Sequence, residues 1–218
     1  MSGTIERSVK IPSGGMQIQG TLILPEGATA VVLFAHGSGS GRFSPRNQYV
    51  ASVLREKKLG TLLIDLLAEW EADVRLKVFD IELLAQRLLS ATSWLQADPY
   101  TKPLPIGYFG ASTGAAAAMI ASTKRKNDVC AIVSRGGRPD LALDFLPKVT
   151  APVQLIVGGD DDVVIVMNEQ SYALLPCIKE MKIIPGATHL FEEPGALEEV
   201  AKLASEWFAK YLVPDKKK

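Results

Sequence analysis

Ser112 stands in Gly110-Ala111-Ser112-Thr113-Gly114, between an apolar run (Pro105 to Phe109) and a run of small residues that opens at Ala115. In that setting Gly-x-Ser-x-Gly reads as a strand, a sharp turn and a helix. The turn raises the serine side chain above the end of a sheet and leaves the N–H groups of the helix start beside it. Without that setting, the pentapeptide is equally a plain strand–helix turn. Serine is a weak nucleophile at neutral pH, so it needs a base, and the base needs a partner that fixes its tautomer. The chain has two histidines, His36 and His189. His189 comes late, after Pro185-Gly186-Ala187-Thr188, and three aspartates, Asp160, Asp161 and Asp162, precede it. The order serine, aspartate, histidine is that of the nucleophile-elbow architecture. Position alone does not choose among the aspartates. Gly158-Gly159-Asp160-Asp161 is good turn chemistry, and at least two of the three serve the turn.

His36 has another reading. His36-Gly37-Ser38-Gly39-Ser40-Gly41 follows an apolar run directly and resembles a loop that offers main-chain N–H groups to a developing oxyanion. The N–H of Ser38 would then act with that of Thr113; the competing reading is an ordinary Gly/Ser loop. Arginines flank these loops. Arg42 and Arg135 are candidate contacts for an anionic group on a substrate, with Arg46 and Arg138 beside them. The competing reading pairs such arginines with Asp65, Asp140 or the aspartate cluster.

These residues need a frame to hold them. Ala30–Ala35 is a continuous apolar run of strand length, and Gly60–Leu66, Pro105–Phe109, Val129–Ser134, Pro152–Val157 and Met181–Ile184 are mainly apolar runs of similar kind. Such runs are typical of strands buried on both faces. Residues 5–11 and 20–24 read as a hairpin before them. Helical spacing is clear from Phe79 to Gln96 (Ile81, Leu84, Leu88, Ala91, Leu95) and from about Pro194 to Tyr211. A helix is expected near Pro45–Lys58 and another near Asn168–Leu175; Ala68–Val78 is charged and ambiguous. Strands alternate with helices, which implies a mainly parallel sheet with an antiparallel start and helices on both faces. Function then belongs outside the C-terminal strand ends, where His36, Ser112, Arg135, Asp161 and His189 all fall.

Composition narrows the function classes. The 218 residues are of a length for one domain, 1–218, and 47% are apolar. The 24 basic and 24 acidic residues cancel, so neither a nucleic acid nor a membrane surface is an expected partner. Lys216-Lys217-Lys218 reads as a solvated tail. Two cysteines, Cys130 and Cys177, make no disulfide framework and no metal-ligand cluster. No P-loop or Gly-x-Gly-x-x-Gly pattern implies a nucleotide, so no cofactor is expected. The N-terminus lacks an apolar leader, and a cytoplasmic protein is the default expectation.

Taken together, the motifs resemble the α/β-hydrolase superfamily, and within it the dienelactone hydrolase-like group. They are His36-Gly-Ser-Gly-Ser-Gly41, Ser44-Pro-Arg-Asn47, Gly107-Tyr-Phe-Gly-Ala-Ser-Thr-Gly114, Ser134-Arg-Gly-Gly-Arg-Pro-Asp-Leu141, Gly158-Gly-x-Asp161 and Thr188-His-Leu-Phe-Glu-Glu-Pro-Gly195. The resemblance implies a Ser112–Asp161–His189 triad, because Asp161 matches the Gly-Gly-x-Asp position. It also implies a single α/β-hydrolase domain acting on small-molecule esters or lactones. Dienelactone hydrolases use a cysteine nucleophile, whereas the elbow here holds Ser112. The connection from Ser134 to Pro152 is too short for a large lid. A ligand-binding protein without catalysis, and acyl transfer to an acceptor other than water, are the rival functions.

Overall fold

The computed structural model describes residues 3–212. The lysine tail at 216–218 lies outside them. The chain opens with a hairpin, β1 (Ile5–Ser13) and β2 (Met16–Leu24), followed by β3 (Ala30–Ala35) and α1 (Pro45–Glu56). After β4 (Leu59–Ile64) come two short helices, α2 (Glu69–Ala72) and α3 (Arg75–Val78), and then the long α4 (Ile81–Ala97). The rest alternates: β5 (Ile106–Ala111), α5 (Thr113–Lys124), β6 (Val129–Arg135), β7 (Val153–Gly158), α6 (Asp162–Leu174), β8 (Lys179–Ile184) and α7 (Ala196–Leu212).

The strands form one eight-stranded sheet in the order β1-β2-β4-β3-β5-β6-β7-β8. The hairpin joins antiparallel, through Gly20 opposite Ile64, and the pairs from β4 onward are parallel. Side chains of a strand alternate between faces, and both faces here are covered. Val31, Leu33 and Ala35 therefore enter one core with α4 and α5, while Val32 and Phe34 enter the other with α1 and α7. That double burial is why the run Ala30–Ala35 shows no polar alternation.

Helix boundaries follow local chemistry. Ser44 caps α1 by accepting from the Asn47 N–H, and Pro45 occupies the first turn, where its missing N–H costs nothing. Asp80 caps α4 through the Leu83 N–H at 2.9 Å. Two departures from expectation have physical causes. The segment 68–78 folds as α2 and α3, held by the buried Glu71, whose carboxylate takes the Ala68 N–H, Lys77 and Arg87. The helix expected near Asn168 begins at Asp162 instead. Its first turns expose Val163 and Val166 and bury Asn168, which reverses the usual amphipathic signal. Between β6 and β7 lie only two 3-10 turns, Pro139–Ala142 and Leu146–Lys148, so no large lid stands there.

Candidate active site

β5 delivers Ser112 to the end of the sheet in the left-handed region, at φ 48° and ψ −121°. A non-glycine residue there stores roughly 1–3 kcal/mol of strain. The turn closes because its flanking glycines have no side chain. A Cβ on Gly110 would lie 2.5 Å from Ala115 Cα, and one on Gly114 would strike the Ala35 carbonyl. Ser112 O accepts from Ala115 N at 3.1 Å and from Arg138 N at 3.0 Å, which ties the elbow to the loop after β6.

Two residues here hold N-cap positions without capping. Ser112 precedes α5 and Asp161 precedes α6, yet neither side chain accepts a hydrogen bond from its own helix. Serine and aspartate normally gain about 1 kcal/mol by doing so. The Asp161 carboxylate turns instead to His189, with Oδ2 2.7 Å from Nδ1. A carboxylate only accepts, so this bond puts the proton on Nδ1 and leaves Nε2 free as a base. The Asp161 side chain is 16% exposed and that of His189 37%. The loop carrying His189 is itself clasped. Glu193 accepts from Thr188 Oγ1 at 2.6 Å and Thr188 N at 3.1 Å, and these bonds hold its carboxyl below the ordinary carboxylate range. Asp160 contributes its main-chain N–H to Ala187 O, and Asp162 lies in the first turn of α6, where the helix dipole favours an acid.

Ser112 and His189 line one cavity of about 160 Å3, together with Ser38, Arg46 and Arg135. No hydrogen bond joins Ser112 Oγ to His189 among the described residues; such bonds are often long before substrate binds. Ser38 also borders a smaller neighbouring cavity of about 50 Å3, which Thr113 lines and which α2 and α3 cover with Ala72 and Val78. Thr113 is the first residue of α5, so its N–H is among those with no partner inside the helix.

His36 does not reach the serine. It is buried, its Nδ1–H donates to Gly37 O at 2.8 Å, and its Nε2 accepts from Leu66 N at 2.9 Å. These two bonds require the neutral ring, and burial lowers its pKa in the same sense. His36 thus straps the loop after β3 to the end of β4.

The arginines separate. Arg42, expected beside Arg135 as a substrate contact, does not line the Ser112 cavity. Its guanidinium pairs with Asp65, which also accepts its main-chain N–H at 2.8 Å, so the neighbouring strand end neutralises it. Arg138 pairs with Asp140 in the same way. Arg135 is in the cavity, 6% exposed, and burial together with the charge of Arg46 pushes its pKa down to about 10. Arg46, the other candidate arginine of that stretch, does line the cavity. Two further contributors receive no role from the sequence, although Asn47 closes the Ser44-Pro-Arg-Asn47 motif: Asn47, whose Oδ1 accepts from Arg135 Nη2 at 3.3 Å, and Asn168, which donates to Gly137 O at 2.9 Å and locks α6 to the loop after β6. Among the described residues, no group of three or more His, Cys, Asp or Glu is placed to hold a metal, and no helix is long and apolar enough to cross a membrane.

This strand order, with a serine elbow after β5 and a histidine loop after β8, defines an α/β-hydrolase. Comparison with known proteins places it further: the chain belongs to the dienelactone hydrolase family, whose model matches residues 73–212. A dienelactone hydrolase from Anabaena variabilis ATCC 29413, known by crystal structure, is 56% identical, with a TM-score of 0.93 over 96% of this chain and 99% of that one. Est1E from Butyrivibrio proteoclasticus shares the fold at 16% identity, with a TM-score of 0.80 over 93% of this chain and 98% of its own. A Mycobacterium tuberculosis H37Rv protein, "Putative phosphoribosyl transferase Rv0571c", is 53% identical over 207 residues, 95% of this chain and 47% of its own. The chain therefore spans about half the length of that curated relative.

Proposed function

We propose that this protein is a serine hydrolase that cleaves small carboxylic esters or lactones through an acyl-enzyme. The observation that carries the reading is the Asp161–His189 hydrogen bond, whose histidine lines the same cavity as Ser112. Ser112 Oγ attacks the acyl carbon and gives its proton to His189 Nε2, a base worth about 10²–10⁴ in rate. Asp161 holds the ring in the required tautomer and stabilises the imidazolium. The N–H groups of Thr113 and Ser38 receive the oxyanion, each worth roughly 3 kcal/mol in the transition state. The tetrahedral adduct collapses, the acyl–oxygen bond breaks, and the alcohol leaves with the proton from His189. Water then adds to the acyl-enzyme with His189 again as base, releasing the acid and restoring Ser112. For a lactone the leaving alcohol stays tethered to the acid.

The small neighbouring cavity and the short β6–β7 connection support a short acyl group and a soluble substrate. The family, and the relative named a dienelactone hydrolase at 56% identity, support hydrolysis. The transferase name belongs to a protein about twice the matched length, and the groups at this cavity support acyl chemistry instead.

Turnover of p-nitrophenyl acetate tests the reading. The wild type should release p-nitrophenolate, and Ser112→Ala should not; equal rates would remove Ser112 from the mechanism. Added alcohol acceptors separate hydrolysis from acyl transfer, and lack of labelling by a fluorophosphonate would favour a binding protein.

A further inference from the structure

One charged group in the Ser112 cavity has no part in the chemistry above. Arg135 ends β6 with its side chain buried at the cavity wall. A guanidinium carries five N–H donors. Among the described residues Arg135 uses one of them, in the 3.3 Å bond to Asn47, and its buried Nε–H has no acceptor. The Phe191 ring, 5.8 Å from Cζ, offers only its π face. The other cation at the cavity is Arg46. Its Nη1 reaches Glu192 at 2.9 Å, but that carboxylate is 64% exposed, and the Arg46 Nε–H is likewise buried without an acceptor.

An unpaired buried charge is strongly unfavourable, and folds keep one only when something else compensates it. This fold neutralises the neighbouring arginines, Arg42 with Asp65 and Arg138 with Asp140, but at the serine's wall it gives Arg135 no carboxylate and Arg46 only the solvent-exposed Glu192. Resting on the hydrolase reading, we propose that Arg135 and Arg46 form a subsite for a dianionic phosphate monoester group carried by the ester that Ser112 cleaves. The donor count selects the phosphate. Glu192 reduces the formal charge of the pair to that of one cation, but among the described residues Arg135 and Arg46 each spend one of their five N–H donors on a protein acceptor, so eight remain against about four lone-pair sites on a carboxylate. A phosphate monoester carries about −1.5 to −2 near neutral pH and three terminal oxygens for forked N–H donors. The phosphate is a handle only: the acyl–oxygen bond breaks and the P–O bond stays whole.

Calorimetric titration of the full chain with inorganic phosphate tests the subsite apart from catalysis. Phosphate should bind wild type and Ser112→Ala alike. Binding should weaken at least about 10-fold in Arg135→Gln, as expected when one partner of a buried charge contact is removed. Arg125→Gln, at a cation paired with Asp128 outside the cavity, should bind as wild type does. If Arg135→Gln does not fold, Arg135→Lys, which keeps charge but loses the fork, should also bind more weakly. Acetyl esters of glycerol phosphate, glycerate and glycerol then compare phosphate, carboxylate and neutral handles. The phosphate ester should show the highest kcat/KM, with its advantage reduced in Arg46→Gln. The proposal is overturned if phosphate fails to bind, if it binds Arg135→Gln as tightly as wild type, or if the carboxylate ester is preferred. A protein that binds phosphate but turns over no ester refutes the hydrolase reading alone; one that hydrolyses p-nitrophenyl acetate but binds no phosphate refutes the subsite alone.

Discussion

Replacing Ser112 by glycine should make the protein more stable than replacing it by alanine, although neither variant can act as a nucleophile. At φ 48° and ψ −121° any residue with a Cβ is strained, by roughly 1–3 kcal/mol. Alanine keeps that strain and glycine releases most of it. Glycine also loses about 0.4–1 kcal/mol through the greater freedom of its unfolded chain. The side chain of Ser112 caps nothing, so its removal forfeits no helix bond that would confuse the comparison. The difference should be about 1 kcal/mol in favour of Ser112→Gly. For a chain of this size that raises the thermal midpoint by roughly 2–4 °C. Paired thermal and urea unfolding of the two variants measures it. A glycine variant no more stable than the alanine variant would refute the claim that the elbow stores strain.

Three other outcomes follow from the same geometry. Asp161→Asn keeps the shape but no longer dictates the His189 tautomer, so kcat on p-nitrophenyl acetate should fall by about 10³–10⁴ while the thermal midpoint changes little. Gly114→Ala drives a Cβ against the Ala35 carbonyl, and it should destabilise by about 3 kcal/mol or yield insoluble protein; normal yield and stability would mean the turn is looser than described. His36 must stay neutral to accept from Leu66, and burial lowers its pKa from the ordinary 6.5. The unfolded chain binds that proton first, so this stability is intact above pH 6.5 and is lost as pH falls below it. Wild type should lose up to about 1.4 kcal/mol per pH unit more than His36→Gln on acidification; parallel profiles would show that His36 is not the strap.

Much of this site was legible because its parts rely on local chemistry. Gly110, Ser112 and Gly114 announce a turn that few other residues can make, and the resemblance selects Asp161, whose carboxylate meets His189. The strands were legible because burial on both faces forces continuous apolar runs. Tertiary partners decided the rest. Arg42 and Arg46 lie four residues apart in one polar stretch, and only the position of Asp65 at the end of β4 determines which is neutralised and which faces Ser112. Asn47 and Asn168 look like surface residues in the chain, but each is buried to hold a loop or an arginine. The start of α6 was hidden for a related reason: exposed Val163 and Val166 and buried Asn168 invert the pattern by which helices are read.

Under the proposed mechanism Ser112, served by His189 and Asp161, becomes covalently acylated. Mass spectrometry of the protein after a fluorophosphonate, and after rapid quenching during p-nitrophenyl acetate turnover, tests it most directly. One adduct per chain is expected, mapped to Ser112, absent from Ser112→Ala and formed far more slowly in Asp161→Asn. An adduct on Ser38, Ser40 or a cysteine, or turnover with no adduct on Ser112, would contradict it.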